Sequence, residues 1–176
     1  MRAVVQRALW ARVEVDGRVV ASTGPGLVAF VAVESGDGVD QALRLARRLV
    51  EVRLMGDGQG RMALSLLEAG GELLLVSNLT VAGQVRKGRR LDLSRAAGFE
   101  AARQVFDELV RAARGLGARV QVGTFGAMMR VTVVNDGPVT VVVEEPAGAC
   151  AAGEASGALR LDGPAPAGYN GPGARG

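Results

Sequence analysis

Val133-Val134-Asn135-Asp136-Gly137-Pro138-Val139-Thr140-Val141-Val142-Val143 places two runs of β-branched residues on either side of a polar break. Such runs favour extended backbone, so the stretch predicts a hairpin near the end of the folded region, with Asn135 to Pro138 as its turn. Pro138 has no N–H to give to a ladder, and an X-Pro bond is the common setting for a cis peptide. A Gly-Pro pair at a strand mouth therefore presents its carbonyl oxygens in one rigid direction.

Working outward from that stretch, Ala3 to Val15 alternates and is rich in valine, which predicts a long strand. Asp16-Gly17 is a two-residue hairpin signal, and Arg18 to Ser22 returns as the partner strand. After the Gly24-Pro25-Gly26 break, Leu27 to Val33 is a continuous apolar run, the mark of a buried strand. Val39, Ala42, Leu43, Ala46, Leu49 and Val50 recur at helical spacing, and so do Phe99, Ala102, Phe106, Leu109, Ala113 and Leu116, with Gly117 as the stop. Short strands are expected at Val52 to Met55 and Arg119 to Val122, and a central one at Glu72 to Leu79. Gly56-Asp57-Gly58-Gln59-Gly60 lacks both the EF-hand ligand spacing and a Gly-Lys-Ser/Thr ending, and reads as a turn. The order β-β-β-α-β-β-α-β-β-β predicts a mixed α+β fold, with a largely antiparallel, barrel-like sheet and two main amphipathic helices. From Pro146 onward Ala, Gly and Pro dominate without periodicity, so residues 1–145 are expected to form the domain and 146–176 a flexible tail.

Composition narrows the chemistry. The 176 residues suffice for one domain and contain no histidine, a single cysteine (Cys150) and a single lysine (Lys87). Histidine-based triads, proton shuttles and metal sites are thereby removed, as are thiolate clusters; no metal and no cofactor is expected. No apolar run approaches the roughly 18–20 residues that span a membrane, and Met1 to Arg7 breaks too early for a signal peptide, so the expected location is the cytoplasm. The net charge is +3, from 21 cations and 18 anions, and four of the cations are Arg86, Lys87, Arg89 and Arg90. Positive charge concentrated in one loop suits a phosphate-bearing partner.

Three further features carry candidate chemistry. Ser77-Asn78-Leu79-Thr80 brings two hydroxyls and an amide to one strand terminus, directly before the basic loop. Gly123-Thr124-Phe125-Gly126-Ala127-Met128-Met129 lets backbone lie close to a ligand, with Phe125 and Met129 as apolar contacts. Arg7, on the first strand, has a planar set of donors suited to holding main-chain carbonyls.

Taken together these pieces resemble the D-aminoacyl-tRNA deacylase family, also called D-tyrosyl-tRNA deacylase. The resemblance runs from Met1 to Glu144. It rests on Met1-Arg2-Ala3-Val4-Val5-Gln6-Arg7, Leu64-Ser65-Leu66-Leu67, Val76-Ser77 through Thr80, Arg86-Lys87-Gly88-Arg89-Arg90, Phe125-Gly126-Ala127 with Met129, and Asn135-Asp136-Gly137-Pro138-Val139-Thr140, all in the same order. It implies a homodimer with active sites at the subunit interface, and hydrolysis of the ester joining a D-amino acid, or glycine, to the 3′ end of tRNA. Ser77, Asn78, Leu79 and Thr80 fall on one signature motif and Gly137-Pro138 on the other. The resemblance makes the latter a cis peptide that reaches into the partner's site and excludes L-residues, steadied by Arg7. An aminoacyl ester is already activated, so main-chain N–H groups near Leu79 and Thr80 and the substrate's own 2′-hydroxyl suffice in principle. Arg86, Lys87, Arg89 and Arg90 would attract the tRNA acceptor end by phosphate contacts.

The chain departs from the family pattern in places. Asn78 replaces glutamine and Leu79 an aromatic or methionine; Leu91-Asp92-Leu93 replaces a Pro-Ser-aromatic run; Thr124 and Met128 stand where charges are common. Two alternatives compete: an L-alanyl-tRNA editing deacylase with a trans Gly-Pro, and a dimeric RNA-binding module without catalysis.

Overall fold

The computed structural model describes residues 1–85 and 88–147, so Arg86, Lys87 and the expected tail beyond Ala147 lie outside the described residues. β1 (Arg2–Val15) is the strand on which the sheet is assembled. Asp16 (φ 49°) and Gly17 (φ 76°) both take the left-handed conformation that a two-residue hairpin turn requires. They return the chain as β2 (Arg18–Thr23), antiparallel to the far half of β1. β3 (Gly26–Ala32) then continues along the same edge: Ala11 pairs with Thr23 and Ala8 with Gly26, in one register. β2 and β3 are thus one return arm, broken only at Gly24-Pro25, where proline has no N–H to offer.

The opposite edge of β1 is covered by β8 (Arg130–Glu144), and here the expected hairpin does not form. Both valine-rich runs pair with β1 rather than with each other. Between Thr140, opposite Gln6, and Asn135, opposite Ala8, β8 carries extra residues, so Asp136-Gly137-Pro138 is thrown out as a bulge from one long strand. The physical reason lies in β1: at 14 residues it has length enough to satisfy both runs, and the Asn135 amide closes the bulge from within. The Gly137–Pro138 peptide is cis, and both residues are exposed.

The sheet is mixed, less antiparallel than expected. β6 (Glu72–Ser77) runs parallel to β3, and β7 (Arg119–Val122) parallel to β6. Each parallel step needs a crossover, supplied by α1 (Val39–Glu51) before β6 and α2 (Phe99–Gly115) before β7. The region expected as a strand at Val52 to Met55 is instead a two-strand ribbon, β4 (Met55–Gly56) with β5 (Met62–Leu64). Its turn is organised by Asp57, whose Oδ1 accepts the Gln59 and Arg61 N–H groups at 2.8 and 3.2 Å. The Gln59 N–H bond leads in holding the Asp57 carboxyl below its usual range; desolvation opposes it, and the Arg61 N–H and guanidinium add to the lowering.

Alternation along the strands divides the core. Leu27, Ala29 and Val31 of β3, with Leu73 and Leu75 of β6, pack against the helices. Val28, Leu74 and Val76 point to a second, smaller cluster with Ala8, Ala11 and Val13. β1 therefore changes sides along its length, Ala3 and Val5 to the helices and Ala11 and Val13 to the inner cluster, and the sheet curls into a barrel-like wall. α1 buries Ala42, Leu45, Ala46 and Leu49, whereas Leu43 is half exposed. The apolar stripe is thus rotated from the one expected, and it uses Leu45 in place of Leu43. At the chain start the Met1 ammonium is buried, donating to Asp37 Oδ1 at 2.7 Å and to the Glu145 carbonyl oxygen at 2.6 Å. No helix among the described residues is long and apolar enough to cross a membrane.

Candidate active site

β6 delivers Ser77 at its last paired position, opposite Val31 of the parallel strand β3. The backbone then leaves the sheet: Asn78 N–H still bonds to the Val31 carbonyl oxygen at 2.8 Å, and Leu79–Ala82 winds into a single 3-10 turn. Strand pairing up to Ser77 and the turn after it bring Ser77, Asn78, Leu79 and Thr80 to the rim of one cavity of about 440 Å³. The expected strand through Leu79 ends two residues early, because Asn78 closes the turn with its own side chain. Its Oδ1 accepts the Thr80 N–H at 3.1 Å and lies 2.7 Å from Thr80 Oγ1.

The opposite wall is apolar. Phe125 lies edge-on to Phe99 (centroids 5.3 Å apart, planes at 68°) and tilted against Phe106 at 5.6 Å. Gly126, at φ 74°, lets the loop pass under the Phe99 ring, for a Cβ there would lie 2.6 Å from Phe99 Cε2. Phe99 and Phe106 both come from α2, and their helical spacing reads as core from sequence; only the loop after β7 turns their edges into a pocket wall. Among the described residues no ionisable side chain lines the pocket, so none of them offers a carboxylate or an amine there as a general base.

Of the residues expected at the site, Ser77, Asn78, Leu79, Thr80 and Phe125 are brought together. Met129 is not: its sulfur sits against Gly123, where a Cβ would approach to 2.7 Å, and its side chain joins the inner cluster. Met128, almost fully exposed at 92%, lines the pocket in its place. Adjacent residues on extended backbone face opposite ways, and the sequence alone does not set that phase.

Gly137, Pro138 and Arg7 do not line the pocket of their own protomer. They form a second constellation on the β1–β8 edge. Arg7 Nη1 donates to the Leu54 carbonyl oxygen at 2.9 Å, and its Nε faces Asp136 Oδ2 at 2.8 Å and the Asp136 carbonyl oxygen at 3.3 Å. Asn135 Nδ2 donates to the Arg7 and Val139 carbonyl oxygens at 2.8 and 3.0 Å. Arg7 thus does hold main-chain carbonyls, and what it holds is the root of the Gly-Pro bulge. Arg89 and Arg90 are exposed beyond the 3-10 turn; Arg86 and Lys87 of the same loop lie outside the described residues.

Residues 4–144 match the model of the family described as D-Tyr-tRNA(Tyr) deacylase. The chain belongs to that family. Its relatives include the D-aminoacyl-tRNA deacylase of Carboxydothermus hydrogenoformans, 48% identical over 144 residues, which cover 82% of this chain and 99% of the relative. The D-aminoacyl-tRNA deacylase of Methylococcus capsulatus is 47% identical over 146 residues, covering 83% and 95%. Among solved structures, one titled c-Myc DNA Unwinding Element Binding Protein superposes with a TM-score of 0.78 at 31% identity, over 84% of this chain and 100% of the other. A probable eukaryotic D-amino acid tRNA deacylase shares the fold, with a TM-score of 0.71 at 17% identity over 81% and 97% of the two chains. Both bacterial relatives are named as deacylases, hydrolases that act on aminoacyl-tRNA.

Proposed function

We propose that residues 1–145 form a cytoplasmic chiral-proofreading deacylase, which hydrolyses the ester of D-aminoacyl-tRNA, and of glycyl-tRNA, to free amino acid and tRNA. The observation that carries this reading is the Ser77–Thr80 strand end on the rim of an apolar pocket whose lining, among the described residues, includes no ionisable side chain. Such a site suits an ester that is already activated: it needs orientation, a donor for the developing oxyanion and exclusion of bulk water. Thr80 N–H is committed to Asn78, which shifts the expected main-chain oxyanion donor to Leu79 N–H. Water attacks the carbonyl carbon, the ester C–O bond breaks, and the ribose oxygen leaves as a hydroxyl, with the neighbouring 2′-hydroxyl relaying the proton.

In this reading the protein works as a homodimer. Gly137-Pro138 lies outside the pocket of its own protomer, and its exposed bulge is offered to the pocket of a second copy, where its rigid carbonyls discriminate at Cα. A glycyl group has no side chain to reject and passes. The basic loop, with Arg89 and Arg90 as its described members, draws in the acceptor-stem phosphates. The deciding experiment measures turnover of D-tyrosyl-, glycyl- and L-tyrosyl-tRNA by the purified protein. D-tyrosyl and glycyl esters are expected to be cleaved far faster than L-tyrosyl; equal D and L rates would sink chiral proofreading, and tight tRNA binding without turnover would leave a binding module.

A further inference from the structure

Gly83 ends the 3-10 turn at φ −70° and ψ 148°, extended backbone that any residue adopts. What excludes a side chain there is space. A Cβ on Gly83 would lie 2.6 Å from Leu91 Cδ1, 3.0 Å from Leu91 Cγ and 2.9 Å from the Thr80 carbonyl oxygen. Leu91, in the run that departs from the family pattern, therefore packs directly on the end of the turn, although it is half exposed. The residues beside this contact close an arm. Gln84 and Asp92 exchange both main-chain hydrogen bonds at 2.9 Å, an antiparallel pair with Arg89 and Arg90 in the loop between them. The returning limb is bonded to the segment after β3. Ser35 N–H donates to the Arg95 carbonyl oxygen at 2.8 Å, Arg95 Nη2 lies 3.0 Å from Glu34 Oε1, and Ala97 N–H donates to the Val33 carbonyl oxygen at 3.0 Å. Val33 and Ala97 line the pocket, as do Leu79 and Thr80. Both limbs of the cationic arm thus end on the pocket wall.

We propose that Leu91 is a positioning residue that couples this arm to the Leu79–Ala82 turn. Phosphate contacts made by Arg89 and Arg90 then set the Leu79 N–H against the ester, and raise the rate of hydrolysis as well as the affinity for tRNA. The proposal rests on the deacylase reading. A loop that only attracted phosphate would need no side chain wedged against the turn, since charge acts through solvent over about 8–10 Å. A single 3-10 turn is held by few bonds of its own, here Val81 N–H to the Asn78 carbonyl oxygen at 3.2 Å and Gly83 N–H to the Thr80 carbonyl oxygen at 3.0 Å. A contact at its end therefore bears on where its N–H groups point. Binding energy from parts of a substrate remote from the reacting bond then appears in kcat.

The test compares two esters with the full-length protein: D-tyrosyl-tRNA, and the D-tyrosyl ester of adenosine, which has the reacting bond and no phosphate. Wild-type kcat is expected to be about tenfold or more higher on the tRNA. Leu91→Ala should lower kcat on the tRNA by about tenfold, with KM changed less than about twofold, and should leave kcat on the adenosine ester within about twofold of wild type. Leu91→Met, long enough to reach over Gly83, should keep the wild-type rate. Replacing Arg89 and Arg90 with alanine should also lower kcat on the tRNA, and Leu91→Ala should add nothing in that background. Equal loss of kcat on both esters would make Leu91 a mere prop of the turn and overturn the proposal. So would a rise in KM alone, no effect at all, or effects of Leu91 and the two arginines that multiply. Should the adenosine ester be cleaved too slowly to follow, the combined substitutions decide alone. Unfolding midpoints of each variant separate these outcomes from misfolding. Absence of turnover of every ester by the wild-type protein would sink the deacylase reading and this proposal with it, whereas turnover with the wrong pattern sinks this proposal alone.

Discussion

Arg7 Nε lies 2.8 Å from Asp136 Oδ2, and this contact ties the middle of β1 to the root of the bulge that carries Gly137-Pro138. The tie is made twice over, because the Arg7 carbonyl oxygen also accepts the Asn135 amide at 2.8 Å. One residue of β1 thus holds the bulge through its side chain and its main chain. A loop on a strand edge is ordinarily the most mobile part of a sheet; this one is clamped to the strand opposite it.

Arg7→Lys is the first test of that clamp. Lysine supplies one compact charge and no planar fork, so it cannot serve Asp136 and the Leu54 carbonyl oxygen together. The guanidinium is only partly exposed, and the fold does not depend on it for core packing, so the thermal midpoint should move little. The D-over-L ratio of kcat/KM should fall by about tenfold or more, which corresponds to about 1.4 kcal/mol of lost discrimination. An unchanged ratio would show that the bulge does not act as a chiral gate.

Gly126→Ala tests the far wall of the pocket. The new Cβ would sit 2.6 Å from Phe99 Cε2, on backbone at φ 74°, a conformation costing roughly 1–2 kcal/mol for a residue with a side chain. The Phe99 ring has room to swing, being half exposed, so the expected result is a folded protein with a reshaped pocket: KM raised and kcat/KM lower for every ester. Kinetics identical to wild type would place the substrate away from this wall.

How much of this was legible beforehand depends on what each residue answers to. Strand and helix positions with a strict apolar period were legible, because burial on one face leaves its mark at fixed spacing. The Asp16-Gly17 turn was legible because its left-handed backbone restricts residue type. At Asn135 to Pro138 a bulge replaces the expected hairpin, since two β-branched runs look the same whether they pair with each other or with a third strand such as β1. Leu43 and Leu45 are chemically identical, and the tilt of α1 over the sheet alone decides which one is buried. At the site, Ser77 to Thr80 stood out as polar residues ending an apolar strand. Phe99 and Phe106 did not, since their role arises from a loop that arrives from β7.

Asp37→Ala should be among the costliest single substitutions outside the apolar core. The Asp37 side chain and the Met1 ammonium it faces at 2.7 Å are both essentially buried, and Asp37 Oδ2 also accepts the Glu34 N–H at 2.6 Å. Removing the carboxylate leaves a buried positive charge without its nearest partner. A loss of about 3 kcal/mol in urea unfolding is expected, with little change in the kinetic constants of the protein that remains folded. A loss below about 0.5 kcal/mol would mean that Glu34 and the Glu145 carbonyl oxygen suffice for the ammonium.

The basic loop is tested by salt. Arg89 and Arg90 are exposed next to the pocket-bearing turn, and in the proposed function they meet phosphates, which position tRNA without reading its sequence. Replacing both with alanine should weaken binding to all tRNAs alike. Each lost phosphate contact should also reduce the slope of log affinity against log salt by about 1. The D-over-L ratio should stay as in wild type, because the bulge at Gly137-Pro138 and its clamp are untouched. A variant that binds more weakly but keeps the full salt slope would show that these arginines act through local structure and not through phosphate charge. A variant with a lower D-over-L ratio would place the loop inside the chiral site, against the division of labour proposed for the two constellations.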